Sequence, residues 1–266
     1  MKSKTVGPRI GTRCRINTSA YVSPLARMGD DCTIGLGSRL LGNVRLGNHV
    51  WIDANVTLHG NVNVGDRVYV GPNCTLGHLD RTGLKTMLAG TEVDLSDGSE
   101  LEIGKGSTIR QGCVIYSPAK IGVGVEFGHN VVVRERVTIG DRTLVGTGVV
   151  IDGESNIGRN VSMQTGVYIS RRSRIADYVF LGPRCILLND KYMKLKKPKL
   201  VGPIIGKGSA IGGNATLMPG VRVGKMAVVG SGALVTGSVP DKTVYVGVPA
   251  KKLKKTPRDW RTQLDR

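Results

Sequence analysis

The feature that most constrains this chain is a strict six-residue period of apolar residues. Counted in sixes, these positions run without a gap from Ile10 to Leu76, from Ile103 to Leu187 and from Ile205 to Val235. The three runs hold 33 hexads, and a helix with 3.6 residues per turn does not repeat on a strict six. A short fixed period of this kind indicates a solenoid whose units bury their apolar sides against their neighbours.

The other positions of each hexad are also specialised. The residue after the apolar one is often glycine, as at Gly35 and Gly65, and small or β-branched residues fill the fifth position. Residues that tolerate a positive φ recur at the corners: Asn48, Asn73, Asn130, Asn160, Gly208 and Asn214. Each hexad therefore predicts a short strand and a turn. We predict an all-β left-handed parallel β-helix of about eleven triangular coils, with two loop insertions and a short C-terminal helix.

The five cysteines fit the same frame, because all of them fall at the fifth, inward position of a hexad. They lack the C-x-x-C spacing that is typical of metal sites and redox motifs. Buried free cysteine behaves as a small apolar side chain. We therefore predict structural cysteines and no metal.

Two segments and the tail leave the frame. We place the β-helix at residues 1–250, with loops at about 78–102 and 189–204, and a basic tail at 251–266. Long loops on rigid scaffolds often carry function, and the second loop holds four closely spaced lysines, Lys194, Lys196, Lys197 and Lys199. In the tail, Thr256 and Pro257 have the residue types of a helix N-cap and first position.

Composition limits the classes of partner. The chain has 266 residues and a net charge of +18, which suggests a phosphate-bearing ligand or a solubility effect. No stretch of about 20 apolar residues occurs, and no apolar segment follows the basic N-terminus, so we expect a cytoplasmic protein without membrane insertion.

The hexads resemble the hexapeptide-repeat acyltransferase superfamily over nearly the whole chain. The segments Ile211–Ala215, Leu217–Val221, Val229–Ala233 and Gly247–Ala250 look like the family's acetyl-CoA-binding end. The run from Phe180 to Tyr192 looks like the subgroup that N-acetylates amino sugars on nucleotide carriers. The chain departs from the family in having no histidine after His129, and in carrying Ala210 where the family has an aromatic residue.

This resemblance implies a homotrimer that uses acetyl-CoA as co-substrate to acetylate a sugar nucleotide. It assigns the cofactor to Ser209, Gly213, Ala227, Lys251 and Lys254. It assigns the acceptor substrate to Gln111, Thr147, Glu135, Asn189, Asp190, Lys191 and Tyr192. Nucleic acid is not an expected partner.

Transfer of an acetyl group to an amine needs a base, and His129 is the first candidate. It lies in Gly128-His129-Asn130, at an outward corner, in a turn that looks like the catalytic-histidine region of the lipid A and amino-sugar acyltransferases. His78, which opens the first loop, is the second candidate; His49 and His59 are expected to be structural. If the chemistry lies near Asn189 instead, no protein base is evident there.

Three other functions stay open at this stage. The near alternative is a sugar acyltransferase that uses an acyl carrier protein, although that branch usually adds a helical C-terminal domain. A zinc carbonic anhydrase of the same fold needs three histidine ligands, two of them close in sequence, which these four histidines do not provide. A non-enzymatic scaffold or binding protein would need neither the base nor the acetyl-CoA end.

Overall fold

The computed structural model describes residues 7–89, 100–197, 199–257 and 259–260. The chain forms two compact units. The first comprises residues 1–130 and 134–136, and the second comprises residues 131–133 and 137–266. Each unit is a left-handed parallel β-solenoid, so the predicted fold class is confirmed.

The first unit stacks 17 short strands on three faces. Its strands are β1 (Arg9–Ile10), β2 (Arg15–Ile16), β3 (Tyr21–Val22), β4 (Arg27–Met28), β5 (Thr33–Ile34), β6 (Arg39–Leu41), β7 (Val44–Leu46), β8 (Trp51–Ile52), β9 (Thr57–His59), β10 (Val62–Val64), β11 (Tyr69–Val70), β12 (Thr75–His78), β13 (Leu101–Ile103), β14 (Thr108–Ile109), β15 (Val114–Tyr116), β16 (Ala119–Ile121) and β17 (Glu126–Phe127). The faces have the orders β1-β4-β7-β10-β13-β16, β2-β5-β8-β11-β14-β17 and β3-β6-β9-β12-β15.

The described residues of the second unit have the same architecture, with 18 strands on three faces. They are β18 (Val132–Val133), β19 (Val137–Ile139), β20 (Leu144–Val145), β21 (Val150–Ile151), β22 (Asn156–Ile157), β23 (Ser162–Met163), β24 (Tyr168–Ile169), β25 (Arg174–Ile175), β26 (Phe180–Leu181), β27 (Ile186–Leu187), β28 (Ile204–Ile205), β29 (Ala210–Ile211), β30 (Thr216–Leu217), β31 (Arg222–Val223), β32 (Val228–Val229), β33 (Leu234–Val235), β34 (Thr243–Val246) and β35 (Lys251–Lys255). Its faces have the orders β19-β22-β25-β28-β31, β20-β23-β26-β29-β32-β34-β35 and β18-β21-β24-β27-β30-β33.

The apolar residue of each hexad points into the solenoid. Every such residue from Met28 onward is buried, and only Ile10, Ile16 and Val22 in the first coil are more exposed. Residues 18 apart pair in parallel register, as Ile34 does with Ile52. The hexad count therefore predicted the core residue by residue.

The corner residues adopt the left-handed conformation that their types predict. Positive φ values occur at Asn73, Asn130, Asn160, Gly208 and Asn214. The prediction for Asn48 is wrong, because the positive φ of its turn is at His49 (56°), one position later in the hexad. The Asn48 side chain instead accepts a hydrogen bond from the amide of Asp30 at 2.9 Å.

The strand count of one face and the tail also differ from expectation. Among the described residues, one face has 13 strands and the other two have the expected eleven, since β34 and β35 follow the last counted hexad on that face. Residues 251–255 are a strand, antiparallel to β34, instead of an irregular tail. The predicted helix is absent from the described residues between Thr256 and Trp260; residues 258 and 261–266 of that prediction lie outside the described part.

The first loop contains a helix that the sequence did not predict. Helix α1 spans Arg81–Leu88, and the Asp80 carboxylate caps it by accepting from the amide of Gly83 at 2.9 Å. The rest of this loop, residues 90–99, lies outside the described part. Within the described residues, no helix is long and apolar enough to cross a membrane.

The cysteines occupy the interior as predicted. Cys32, Cys74, Cys113 and Cys185 are buried, and all five cysteines are free thiols. Burial raises the pKa of Cys32 to about 11 and that of Cys185 to about 12. Since the thiolate is the reactive form, these two side chains are structural.

Candidate active site

His129 lies in the first unit, on an outward corner whose backbone is well fixed. The amide of Asn130 donates to the carbonyl of Gln111, one coil below, at 2.9 Å. The Cys113 thiol donates to the Gly128 carbonyl at 3.2 Å from inside the solenoid. The His129 side chain is exposed, as is Gln111. The corner thus presents an accessible imidazole on a rigid turn, with Gln111 on the neighbouring coil as predicted.

Thr147 belongs to the second unit and is exposed there. Its carbonyl accepts from the amide of Gly166 at 2.9 Å, which continues the coil stacking within that unit. The predicted pairing of Thr147 with His129 therefore stays a prediction.

A second group of polar side chains gathers around Glu135, also in the first unit. Glu135 is only 4% exposed and sits between Arg134 (Nε to Oε2, 3.1 Å) and Arg136 (Nη2 to Oε1, 3.6 Å). Because protein cations already neutralise this carboxylate, we expect Glu135 to position the two arginines. Its predicted contact with substrate stays a prediction.

The same corner carries His78 and Tyr116. The two rings lie 4.7 Å apart between centroids, and the Arg134 guanidinium lies 4.7 Å from the Tyr116 centroid. The Nδ1 atom of His78 is 2.8 Å from the carbonyl of Leu79. A carbonyl only accepts, so Nδ1 carries the hydrogen and the lone pair of the neutral ring lies on Nε2. His78 thus has the tautomer that a base acting through Nε2 requires.

Sequence reasoning missed most of this corner. Neither the contact of His78 with Tyr116 nor the ion pairs of Glu135 were predicted, although three charged residues in a row, Arg134-Glu135-Arg136, were a usable signal. Arg136 also contacts Asp80, the helix cap, at 3.6 Å. The corner therefore joins the start of α1 to the solenoid.

The second loop is closed at its base by residues that were predicted to bind substrate. The Asn189 side chain donates to the Arg171 carbonyl at 3.2 Å, and the Asn189 carbonyl accepts from the amide of Val201 at 3.0 Å. The Asp190 carboxylate accepts from the amides of Tyr192 and Lys194 at 2.9 and 3.0 Å. These contacts shape the loop, so any substrate contact by Asn189 or Asp190 would be additional to a structural role.

The tip of this loop is a basic and aromatic surface. Tyr192 is 43% exposed and has the ammonium groups of Lys191 and Lys196 at 5.8 and 5.4 Å from its ring centroid. Lys194, Lys197 and Lys199 are exposed nearby in sequence. An aromatic ring between cations suits a ligand with both a flat ring and phosphates.

Glu154 supports the same loop through ion pairs with Arg171 and Arg172. It accepts from Arg172 Nε at 2.6 Å and also pairs with Arg171 Nη2. These hydrogen bonds lower the pKa of Glu154 to about 2, so the carboxylate stabilises the fold above its ordinary pKa and loses that effect as the pH falls towards 2.

Glu154→Gln should therefore lower the unfolding free energy by about 1 kcal/mol at neutral pH, a value discounted for solvent screening. The difference from the parent protein should be full above about pH 5 and vanish near pH 2. Thermal melts across this range measure it. Glu126→Gln, which changes an exposed glutamate on β17 without an ion pair among the described residues, is the control. An equal effect of both variants would contradict the prediction.

The residues predicted for the cofactor all lie in the second unit. Ser209 and Ala227 are fully buried, and the Ser209 hydroxyl donates to the Gly206 carbonyl at 2.7 Å. Since this burial covers the main chain as well as the side chain, neither residue is accessible to a ligand in this chain, and their role in cofactor binding stays a prediction. Gly213 is half-buried, whereas Lys251 and Lys254 are exposed on β35. Lys254 also lies 5.2 Å from the Trp260 ring centroid.

Two models of known families match the hexapeptide repeats of this chain. A model of six-repeat bacterial transferase hexapeptides matches residues 43–78. A model of the succinyl-transferase hexapeptide repeat matches residues 26–59, 136–171 and 203–237. Both units thus match the succinyl-transferase hexapeptide repeat, and the first unit also matches the bacterial transferase hexapeptide.

Two curated relatives match locally. A lipopolysaccharide biosynthesis O-acetyl transferase of Escherichia coli is 46% identical over 52 residues, 20% of this chain and 26% of that protein. A 2,3,4,5-tetrahydropyridine-2,6-dicarboxylate N-acetyltransferase of Staphylococcus aureus is 48% identical over 59 residues, 22% of this chain and 25% of that protein. The chain spans about a quarter of the length of these relatives.

Solved structures resemble the chain in fold. A UDP-N-acetylglucosamine acyltransferase of Francisella novicida has a TM-score of 0.47 and 17% identity, covering 90% of this chain and 69% of that one. A GDP-perosamine N-acetyl transferase of Caulobacter crescentus has a TM-score of 0.36 and 22% identity, covering 66% and 63%. Similarity at this level concerns the fold alone.

Proposed function

We propose that this protein is an acyltransferase that moves an acetyl group from acetyl-CoA to the amino group of a nucleotide-linked sugar. The observation that carries the proposal is the match of hexads in both units to transferase repeats. The two local relatives described above are both acetyltransferases, one acting on oxygen and one on nitrogen. Their shared chemistry supports acyl transfer, and the amine acceptor is our own assignment.

The residues of the second unit fit the needs of the two substrates. Both carry phosphates, which lysine and arginine bind as point charges or forks. Lys251 and Lys254 on β35 are assigned to the phosphates of CoA, and Gly213 is assigned to its pantetheine arm. The loop surface of Lys191 and Tyr192 is assigned to the acceptor, where the ring stacks on a base and the ammonium groups meet its phosphates.

His129 is the proposed general base. In acetyl transfer the amine attacks the thioester carbonyl, the imidazole takes the proton that the nitrogen releases, and the thiolate of CoA leaves. The exposed position of His129 on a rigid turn allows a substrate to approach the ring. Gln111 on the adjacent coil is placed to hydrogen-bond the acceptor.

The proposal is tested by following release of free CoA thiol when the purified protein is mixed with acetyl-CoA and a series of amino-sugar nucleotides. Release that depends on an amino-sugar nucleotide is the expected result. Release of CoA thiol with hydroxyl sugars alone would indicate that the acceptor atom is oxygen. Activity only with acyl carrier protein would indicate that the donor is an acyl carrier protein and not CoA. No transfer with any donor would overturn the proposal in favour of a binding protein.

A homotrimer is the expected assembly, since the resemblance described above implies one. One chain has a mass of 28.3 kDa, and sedimentation equilibrium should therefore give about three times that value. A mass of one chain at micromolar concentration would rule the trimer out. The cytoplasmic location stays a prediction.

The lysines of the second loop should contribute to substrate affinity. Lys194→Gln with Lys196→Gln should raise KM for the acceptor roughly a hundredfold, because each of the two charged hydrogen bonds to phosphate contributes about 1.5 kcal/mol. Steady-state kinetics with both substrates measure the change, with Lys105→Gln in the first unit as a control. Unchanged KM values for both substrates would identify the loop lysines as solvated surface charge.

A further inference from the structure

Three arginines form an in-register column on one face of the first unit. Arg9 on β1 pairs with Arg27 on β4, which pairs with Arg45 on β7. All three side chains are exposed. Neighbouring parallel strands lie about 4.8 Å apart, so the guanidinium groups start from backbone positions one coil apart. We call this column the arginine ladder.

The acidic residues of these coils are engaged elsewhere. Between Gly7 and Asp66 the chain has only four carboxylates, Asp30, Asp31, Asp53 and Asp66. Each accepts from another group: Asp30 from the amide and hydroxyl of Thr12, Asp31 from Arg13, Asp53 from the Tyr69 hydroxyl and Asp66 from the amide of Asn48. Among the described residues, no ion pair involves Arg9, Arg27 or Arg45. Like charges placed directly opposite in a sheet repel one another, so this arrangement favours an external anion.

A groove runs beside the upper end of the ladder. It has a volume of about 520 Å³, with Arg45 and Asn63 on its rim and Gly47 and Gly65 along its side; Glu102 also lines it, and its carboxylate pairs with Lys120 at 3.1 Å. The glycines lack side chains at this corner because a Cβ there would meet the next coil; at Gly65 it would lie 2.7 Å from the amide nitrogen of Lys105. The corner therefore leaves open space along the stacking direction, next to the cations.

We propose that the arginine ladder binds a linear chain of phosphates. Guanidinium is planar and donates two parallel hydrogen bonds to phosphate oxygens, and a column of such groups suits an anion whose charges repeat along a line. Consecutive phosphates share one bridging oxygen. A triphosphate or longer chain therefore contacts more than one arginine of the ladder, whereas orthophosphate contacts one. The site lies in the first unit and is independent of the acyl transfer proposed above.

Isothermal titration of the full-length protein at low salt with orthophosphate, pyrophosphate and tripolyphosphate tests this assignment. Affinity should rise with chain length, and tripolyphosphate should bind at least about tenfold more tightly than orthophosphate. Arg27→Gln removes the middle arginine of the ladder. The affinity for tripolyphosphate should fall about tenfold, whereas the affinity for orthophosphate should change little. Arg27→Lys keeps the charge but loses the two parallel hydrogen bonds of the guanidinium. Its affinity for tripolyphosphate should lie between those of the parent protein and Arg27→Gln. Circular dichroism checks that each variant is folded.

Two controls locate the site. Arg15→Gln changes an exposed arginine on β2, on another face, and should leave tripolyphosphate affinity unchanged. Lys251→Gln with Lys254→Gln should also leave it unchanged. Equal affinity for all three phosphates, or an equal loss in Arg15→Gln or in the lysine variant, would overturn the proposal. A single-stranded oligonucleotide that binds more tightly than tripolyphosphate and loses its affinity in Arg27→Gln would overturn it in favour of nucleic acid. ATP in place of tripolyphosphate distinguishes a nucleotide from an inorganic source.

Discussion

Replacing His129 with alanine is expected to lower kcat for acetyl transfer by about 10²–10⁴-fold, the usual contribution of a general base. The barrier then rises by roughly 3–5 kcal/mol. A neutral imidazole carries a lone pair on one ring nitrogen, which can accept the proton from the attacking amine. KM for acetyl-CoA should stay nearly the same, because the residues assigned to CoA lie in the second unit. Steady-state kinetics on the folded variant measure both constants.

His78→Ala is the matched comparison for this prediction. Both histidines belong to the first unit, but the His78 ring packs on Tyr116 and bonds to the Leu79 carbonyl, whereas His129 is exposed on its turn. A much smaller loss in His78→Ala is expected. If kcat fell less than about fivefold in His129→Ala and by the larger factor in His78→Ala, the base would be His78, whose Nε2 already carries the lone pair. Retained activity in both variants would direct attention to the region of Asn189.

The fold was predictable because the hexad encodes it directly. Each apolar residue at a multiple of six had one possible destination, the interior, and residues such as Ile34 and Leu181 are there. The left-handed conformation of the corner asparagines was equally predictable, since few residue types accept a positive φ. The exception at His49 shows that the position in the hexad decides which residue takes the left-handed conformation.

The parts outside the hexads were less predictable for a physical reason. Helix α1 and strand β35 depend on local hydrogen bonds and on the open edge of β34, neither of which has a period in the sequence. The corner around Glu135 depends on the conformations of long side chains and on Asp80, at the start of the first loop, which pairs with Arg136. Hexad counting places the backbone of such residues, whereas their ion pairs follow from side-chain conformation.

The corner glycines provide the prediction with the largest expected effect on stability. Gly104 follows the inward Ile103, and a Cβ at this position would lie 2.5 Å from the carbonyl carbon of Gly122 on the next coil. That neighbour is backbone held by the stacking hydrogen bonds, as in the bond from the Gly104 amide to the Ile121 carbonyl at 2.8 Å. It cannot move aside as a flexible side chain could, so the coils must separate locally.

Gly104→Ala should therefore lower the unfolding free energy by about 3 kcal/mol, the upper range for overpacking a well-packed interior. For a chain of this size that corresponds to a fall of roughly 10 °C in the thermal midpoint. Gly237→Ala is the control, because a Cβ at Gly237 meets nothing within 4 Å and its φ is not in the left-handed region. It should shift the midpoint by no more than about 2 °C. Thermal melts followed by circular dichroism measure both variants. Similar midpoints for Gly104→Ala and the parent protein would mean that adjacent coils can separate at little cost, and that steric closeness is not why glycine occupies these corners.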